Sequence, residues 1–114
     1  MKRKFVETEI FQEDMKAYGI TTDQIRGLQL ELLDNPEKGK LMVGTGGSRK
    51  VRLGRLGSGK SGGFRVMYTD FNDSGVIYFW MVFGKEEQDN LSAKQKRWIK
   101  NMNTIISQHL KGED

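Results

Sequence analysis

The chain of 114 residues is long enough for one hydrophobic core but not for two, so we expect a single domain over residues 1–114. It contains no cysteine, which excludes disulfides and thiolate chemistry. The formal net charge is +4, and no apolar run approaches the length of a membrane-spanning helix. Because the start of the chain also lacks the apolar region of a secretory signal, we expect an intracellular, cytoplasmic protein.

The positive charge is concentrated in one segment that is also rich in glycine. No acidic residue lies between Glu37 and Asp70. The basic residues in that interval are Lys38, Lys40, Arg49, Lys50, Arg52, Arg55, Lys60 and Arg65. The rest of the chain has more acidic than basic residues, so the charge is strongly polarised. Concentrated cations on a glycine-rich backbone indicate a surface for phosphate groups.

Two helices are predicted near the start of the chain, after a short strand over residues 4–6. The first covers about residues 7–18, and Gly19 can end it. The second begins at a capping-box pattern in residues 21–24, and Asn35-Pro36 ends it. Its apolar residues, which recur at helical spacing and are expected in the core, are Ile25, Leu28, Leu32 and Leu33.

Three strands are predicted next, and we expect them to form an antiparallel meander. Residues 49–53 alternate, which places Lys50 and Arg52 on one face and the apolar residues on the other. Residues 64–71 alternate as well, and a turn that ends in glycine joins them to the next strand. Residues 76–83 are apolar on both faces, which is typical of a central strand buried on both sides.

A second capping-box pattern, in residues 91–95, begins a last helix that runs to about residue 110. Its apolar stripe consists of Trp98, Ile99, Met102, Ile105 and Ile106. Its other side carries Lys94, Lys96, Arg97 and Lys100. We expect both tryptophans, Trp80 and Trp98, in the core. The order of elements predicts an α+β fold: a small, twisted, mainly antiparallel sheet with two N-terminal helices and one C-terminal helix.

One motif match is rejected on physical grounds. Residues 54–61, GRLGSGKS, fit the P-loop pattern GxxxxGK[ST]. A working P-loop begins a helix at its lysine, and the amides at that helix start bind the phosphates. Here Gly62-Gly63 and a strand pattern follow instead, so we do not expect a nucleotide-binding loop.

Five cations are expected to converge near the end of the sheet. Lys50 and Arg52 share a strand face, Lys60 and Arg65 flank the glycine pair, and Lys85 follows the apolar strand. No carboxylate is interleaved among the first four, so these groups repel one another unless a polyanion binds. The alternative is a solvated cationic loop without a ligand.

Three segments occur in the order and spacing typical of one protein family. They are GTGGSRKVR at residues 44–52, GKSGGFRVMY at residues 59–68, and FGKEE at residues 83–87 with DNLS at residues 89–92. Together they resemble the RelE superfamily of bacterial toxins, and its HigB-type branch most closely. The resemblance covers nearly the whole chain.

The resemblance implies a ribosome-dependent endoribonuclease, the toxin of a type II toxin–antitoxin pair, which cleaves mRNA in the ribosomal A site. The implied partners are the ribosome, mRNA and a tightly bound antitoxin, often with a helix-turn-helix domain, and no membrane is involved. We expect no cofactor. With no cysteine and one histidine, the sequence suggests no metal site either.

The resemblance also implies a catalytic set and an RNA-binding set. Arg65 matches an arginine that contacts the scissile phosphate, and Lys60 and Lys85 match basic residues close to it. A lysine is a poor base at neutral pH unless cations and desolvation lower its pKa, so either lysine is a hypothetical base or acid. The RNA contacts expected from the basic strand and its neighbours are Arg49, Lys50, Arg52, Arg55 and Tyr68. For Tyr68, core packing is the alternative to stacking on a base.

The chain departs from the family pattern in the groups available for proton transfer. Phe83 replaces a tyrosine, and the single histidine, His109, is expected on a polar or boundary surface of the last helix. Glu86, Glu87 and Asp89 could hold the cations or act as a base, although exposed acids before a helix are the simpler interpretation. Two other functions remain open from the sequence: a ParE-like inhibitor of DNA gyrase, and a non-catalytic RNA- or ribosome-binding module.

Overall fold

The computed structural model describes residues 2–55, 59–84 and 91–112, with backbone only at positions 55 and 59–62. This part of the chain forms five strands and three helices. In chain order they are β1 (Lys4–Glu7), α1 (Glu9–Tyr18), α2 (Thr22–Asp34), β2 (Lys40–Leu41), β3 (Ser48–Arg55), β4 (Gly59–Phe71), β5 (Val76–Phe83) and α3 (Ala93–Gly112). A 3₁₀ turn, Asn72–Ser74, joins β4 to β5. The predicted α+β fold is confirmed.

The strands form one sheet in the order β1-β5-β4-β3-β2. The three long strands β3, β4 and β5 pair antiparallel, as the predicted meander requires. The first strand pairs parallel with β5 and closes that edge of the sheet. The strand β2 forms the opposite edge and was not predicted, because two residues are too short to show any periodicity.

The helix boundaries follow from local capping. Gly19 ends α1 with a left-handed backbone, φ 67°, a conformation that glycine adopts without strain. Thr21 and Gln24 form both hydrogen bonds of the predicted capping box at the start of α2. Ser92 and Gln95 do the same before α3, since each backbone N–H donates to the other residue's side chain at 2.9 and 3.1 Å. Both predicted capping boxes are therefore confirmed.

The sheet is covered on both faces. Its first face packs on α1 and α2, and the buried side chains of β4 that point there include Val66 and Tyr68. Its second face packs on α3, and Met67 lies there with Trp80 and Ile99. The pairing of β4 with β5 shifts by one residue after Met67, and this bulge directs two successive side chains of β5 toward α3.

The helix α3 meets the sheet over a narrower surface than its apolar stripe predicts. Ile99 is buried, whereas 48% of Trp98 and 55% of Ile105 remain exposed. Trp98 makes an edge-on contact with the core residue Trp80, with ring centroids 6.1 Å apart. The prediction that Trp98 is a core residue is wrong, because its neighbour in the sequence, about 100° around the helix, takes the inward position. Trp80 is buried as predicted.

A buried polar residue, Asn103, connects α3 to the sheet. Its Nδ2 group donates to the carbonyl of Thr45 at 2.8 Å and to Ser48 Oγ at 2.9 Å, and its Oδ1 atom accepts from Thr69 at 3.0 Å. Thr69 also accepts from the indole of Trp80 at 3.0 Å, and the Ser48 hydroxyl lies 2.8 Å from it. Both hydroxyls donate one hydrogen bond and accept at least one, so the network fixes the position of α3.

None of the helices in the described ranges is long and apolar enough to cross a membrane.

Candidate nucleic-acid interface

Three of the predicted cations project from the face of the sheet that α3 also covers. Arg52 of β3 lies directly opposite Arg65 of β4, and Lys50 lies opposite Met67. Because alternate residues of a strand share a face, Lys50, Arg52 and Arg65 lie on the side of Met67. Arg52 is exposed, while Lys50 and Arg65 are half-buried. We call these three residues the cationic face.

The charges of the cationic face are arranged unfavourably for a protein without a ligand. Residues directly opposite in an antiparallel pair have Cβ atoms about 4.5–5.5 Å apart, and like charges there are destabilising. Among the residues that the structure describes, no ion pair involves Arg52 or Arg65. The Nη1 group of Arg65 donates to the carbonyl of Gly63 at a long 3.5 Å. An anion bound between the two guanidinium groups would relieve this repulsion.

Arg49, which we predicted as an RNA contact, lies on the other face of the sheet. It pairs with Tyr68, whose side chain belongs to the core beneath α1 and α2. Its Nη1 group donates to the carbonyls of Gly39 at 2.8 Å and Glu37 at 3.2 Å. Arg49 therefore holds the loop between α2 and β2 and is separate from Lys50 and the other cations of β3.

Tyr68 is a core residue, and its predicted role as an RNA contact is withdrawn. The side chain is fully buried. Its hydroxyl donates to the carbonyl of Pro36 at 2.7 Å and accepts the N–H of Gly39 at 2.9 Å. Burial raises the pKa of the Tyr68 hydroxyl above the ordinary tyrosine value. A base cannot stack on a ring that has no exposed surface.

Other predicted site residues lie partly or wholly outside the described part of the chain. The backbone of Arg55 and Lys60 lies in β3 and β4, but their side chains are not described. Lys85 and the acids of residues 86–89 fall outside it altogether. The strand assignment of Lys60 confirms the rejection of the P-loop, since a strand runs where that motif needs a helix. His109 is exposed in the last turn of α3.

Two further lysines, which were not predicted as site residues, adjoin the cationic face. Lys40 of β2 lies directly opposite Lys50, and Lys96 of α3 lines the same cavity as both. The available signal was α3 itself, which has several lysines and no acidic residue from Ala93 to Gly112. Only the packing of α3 on the sheet shows which of its cations reach the strands.

A larger cavity of about 490 Å³ lies at the other end of α3, between that helix and the 3₁₀ turn. Its lining includes both positively and negatively charged side chains, and Lys111 lies 3.6 Å from Asp73 across it. It therefore lacks the concentration of one charge sign that characterises the cationic face.

Comparison with known proteins gives the family. A family model described as "RelE toxin of RelE / RelB toxin-antitoxin system" matches residues 4–113. The isolated E. coli RelE toxin is 16% identical over 90% of this chain and 98% of its own, with a TM-score of 0.56. A chain of the intact E. coli RelBE toxin–antitoxin complex is 20% identical over 75% of this chain and 99% of its own, with a TM-score of 0.52.

A third structure, E. coli RelE in complex with an antitoxin RelB peptide, is 18% identical over 80% of this chain and 100% of its own, with a TM-score of 0.51. At these identities the solved structures establish a shared fold. The family model spans nearly the whole sequence, and on that ground this protein belongs to the RelE toxin family of toxin–antitoxin systems.

Proposed function

We propose that this RelE-family toxin is a ribosome-dependent endoribonuclease of the HigB-type branch, which cleaves mRNA in the ribosomal A site. The observation that carries the proposal is the direct pairing of Arg52 with Arg65, with Lys50 on the same face. Three cations at neighbouring positions, with two guanidinium groups facing each other, suit a phosphodiester that gains negative charge as it reacts. The HigB-type assignment rests on the sequence segments around these residues.

The proposed reaction is an attack of the ribose 2′-oxygen on the adjacent phosphorus. The bond between phosphorus and the 2′-oxygen forms, and the bond to the 5′-oxygen of the next nucleotide breaks. One proton leaves the 2′-hydroxyl and another reaches the departing 5′-oxygen. Negative charge builds up on the phosphoryl oxygens meanwhile, and Arg65 with Arg52 would stabilise this charge more strongly than the charge of the ground state.

The proton transfers are assigned to Lys60 and Lys85 as part of the same proposal. Both lysines match basic residues of the family pattern. Lys60 is close in sequence to Arg65, and Lys85 is close in sequence to Phe83, which pairs with Arg65. Neighbouring cations disfavour the charged form of a lysine, which makes it a better base at neutral pH. Arg55 remains a proposed RNA contact on the same grounds.

The partners follow from the proposed activity. A toxin that acts on translating ribosomes works in the cytoplasm and needs a cognate antitoxin, for which we propose the helix-turn-helix type. An antitoxin that neutralises this protein should cover the cationic face or prevent its entry into the ribosome. Acidic side chains opposite Arg52 and Arg65 would serve the first purpose.

The experiment compares the wild-type protein with Arg65→Ala on ribosomes programmed with a defined mRNA, with primer extension to map cleavage. We expect wild-type cuts within the A-site codon and a rate about 10²–10³ lower for Arg65→Ala, the usual cost of losing one group that stabilises transition-state charge. Lys16→Gln is the control, since Lys16 is an exposed residue of α1 and should leave the rate unchanged.

Three outcomes would contradict the proposal. Intact mRNA with wild-type protein, together with DNA–gyrase complexes trapped in a parallel assay, would indicate a gyrase inhibitor. Ribosome binding without any cleavage would indicate a binding module. Unchanged cleavage by Arg65→Ala would remove Arg65 from the site even if the activity itself were confirmed.

A further inference from the structure

A cavity of about 210 Å³ lies next to the cationic face, between the edge of the sheet and α3. Three lysines line it, together with a short apolar segment of β2 and the residues after it: Lys40, Lys50, Lys96, Leu41, Met42 and Val43. No carboxylate of the described residues belongs to this lining. We call it the lysine cavity.

The lysine cavity is built by three separate features of the fold. The β2–β3 register places Lys40 directly opposite Lys50. The turn before β3 contains Gly44, whose backbone is left-handed (φ 85°), a conformation that favours glycine. A Cβ atom on residue 44 would lie 3.4 Å from the Cδ atom of Lys96, an ordinary contact distance, so the turn lies beside Lys96. The Asn103 network then holds α3 against the start of β3, so the position of Lys96 is set by packing.

The energetics of the lysine cavity favour an anion. Lys50 and Lys96 are half-buried, so packing restricts the paths of their side chains, whereas Lys40 is exposed. The like charges of these lysines repel one another, and the repulsion is stronger for the two half-buried lysines, because the effective dielectric constant there is lower than in bulk water. A phosphate group among them would reverse the sign of this interaction.

The position of the cavity relative to Arg52 indicates which anion fits. Lys50 and Arg52 are two residues apart on one face of β3, a spacing of about 6.6 Å along the strand. That spacing resembles the distance between successive phosphates of a nucleic acid strand. Leu41 and Val43 at the cavity are 52% and 82% exposed, and they offer apolar surface to the ribose or base attached to such a phosphate.

We infer that the lysine cavity is a second phosphate subsite, which binds an RNA backbone phosphate next to the one at Arg52 and Arg65. The inference rests on the proposed function and deepens it, since it assigns Lys40 and Lys96 a role in holding the RNA. The phosphate belongs either to the mRNA being cleaved or to ribosomal RNA beside it, and these two sources share the same phosphodiester chemistry.

The test uses the double variant Lys40→Gln/Lys96→Gln and a control with the same loss of charge, Lys4→Gln/Lys16→Gln. Lys4 and Lys16 are exposed residues of β1 and α1 and lie outside the cationic face. The first probe is a short single-stranded RNA whose 2′-oxygens are methylated, so that it binds without being cleaved. The second probe is the ribosome without mRNA. Binding of both proteins to both probes is measured over a range of salt concentrations.

We expect the double variant to bind one probe about tenfold more weakly than the control does, as two modest charge contacts predict. If the probe is the single-stranded RNA, the slope of log K against log salt should also become less steep by about 0.7, the contribution of one lost phosphate contact. Weaker binding of the methylated RNA assigns the phosphate to mRNA. Weaker binding of the empty ribosome assigns it to ribosomal RNA.

Equal binding of the double variant and the control to both probes would overturn the inference. This failure is distinct from failure of the proposed function, since the binding experiments need no cleavage and the cleavage assay needs neither lysine variant. If the double variant does not fold, Lys40→Gln alone, at an exposed position of the edge strand, is compared with Lys4→Gln by the same criteria.

Discussion

Tyr68 and Gly39 form a close contact that shapes the loop between α2 and β2. The N–H of Gly39 donates to the Tyr68 hydroxyl, and a Cβ atom on residue 39 would lie 2.7 Å from the Cε1 atom of Tyr68. Only glycine fits so close to the ring. Arg49 donates to two carbonyls of the same loop. This loop leads directly into β2 and therefore positions Lys40.

The contribution of the Tyr68 hydroxyl is tested by Tyr68→Phe. The change leaves the buried Gly39 N–H without an acceptor and the Pro36 carbonyl without this donor. We expect a loss of about 1–3 kcal/mol in the free energy of unfolding, measured by urea denaturation. The control is Tyr78→Phe, at a half-buried position, where the change should be within about 0.5 kcal/mol. Equal effects of both changes would contradict the assigned role.

The difference in stability between wild type and Tyr68→Phe should depend on pH. Burial raises the pKa of Tyr68 in the folded protein, so the unfolded chain loses this proton first as the pH rises. The stability contributed by protonated Tyr68 is present below the unfolded value of about 10 and is lost as the pH rises toward the folded value. The advantage of wild type over Tyr68→Phe should therefore shrink as the pH rises above about 10, by at most about 1.4 kcal/mol per pH unit. A constant difference would contradict the prediction.

The helix α3 owes its position to a polar residue in the middle of an apolar surface. Asn103 is buried and connects Thr45, Ser48 and Thr69. Since α3 also carries Lys96, the network links the core to the lysine cavity. Gly46 of the turn before β3 serves this packing, because a Cβ atom on residue 46 would lie 3.1 Å from the Cγ atom of Lys100.

Asn103→Ala tests this link. The change removes two donors and one acceptor from buried groups and leaves a small void, so we expect a loss of about 2–4 kcal/mol of stability. The measurement is the denaturant midpoint, with Asn101→Ala as the control at an exposed position of the same helix, expected within about 0.5 kcal/mol of wild type. A loss no larger than that of the control would show that the network is not what holds α3.

Local signals predicted the elements well, and long-range contacts account for what they missed. Both capping boxes and the alternation of β3 lie within a few residues of sequence, so helix starts and the shared face of Lys50 and Arg52 were predictable. Alternation also separates Arg49 from them, but the family resemblance grouped Arg49 by residue type. The burial of Asn103 could not be predicted from the sequence, because an isolated asparagine in a helix is ordinarily exposed.

The partners of distant residues could not be read from the sequence at all. Arg3 forms a bidentate pair with Asp70, with Nε 2.8 Å from Oδ1 and Nη2 3.2 Å from Oδ2, across 67 positions of sequence. This pair fastens the beginning of β1 to the end of β4. The lysine cavity is similar, since β2, β3 and α3 each supply one cation and no local pattern relates them.

The two ends of α3 differ in the charge that surrounds them. Near its start lie the cationic face and the lysine cavity. Near its end Lys111 pairs with Asp73 of the 3₁₀ turn, so charges of both signs meet there. Positive charge concentrated on one part of a protein orients it as it approaches a polyanion. The polarity visible in the sequence is therefore also a polarity of the folded protein.

The most direct test of the account is a double-mutant cycle between Arg52 and Arg65, with single-turnover cleavage measured on programmed ribosomes. If both guanidinium groups bind one reacting phosphate, each alanine variant should cleave more slowly, and the double variant should be faster than the product of the two separate effects predicts. Wild-type cleavage by Arg52→Ala, or two effects that multiply independently, would contradict the claim that this pair acts together on one phosphate.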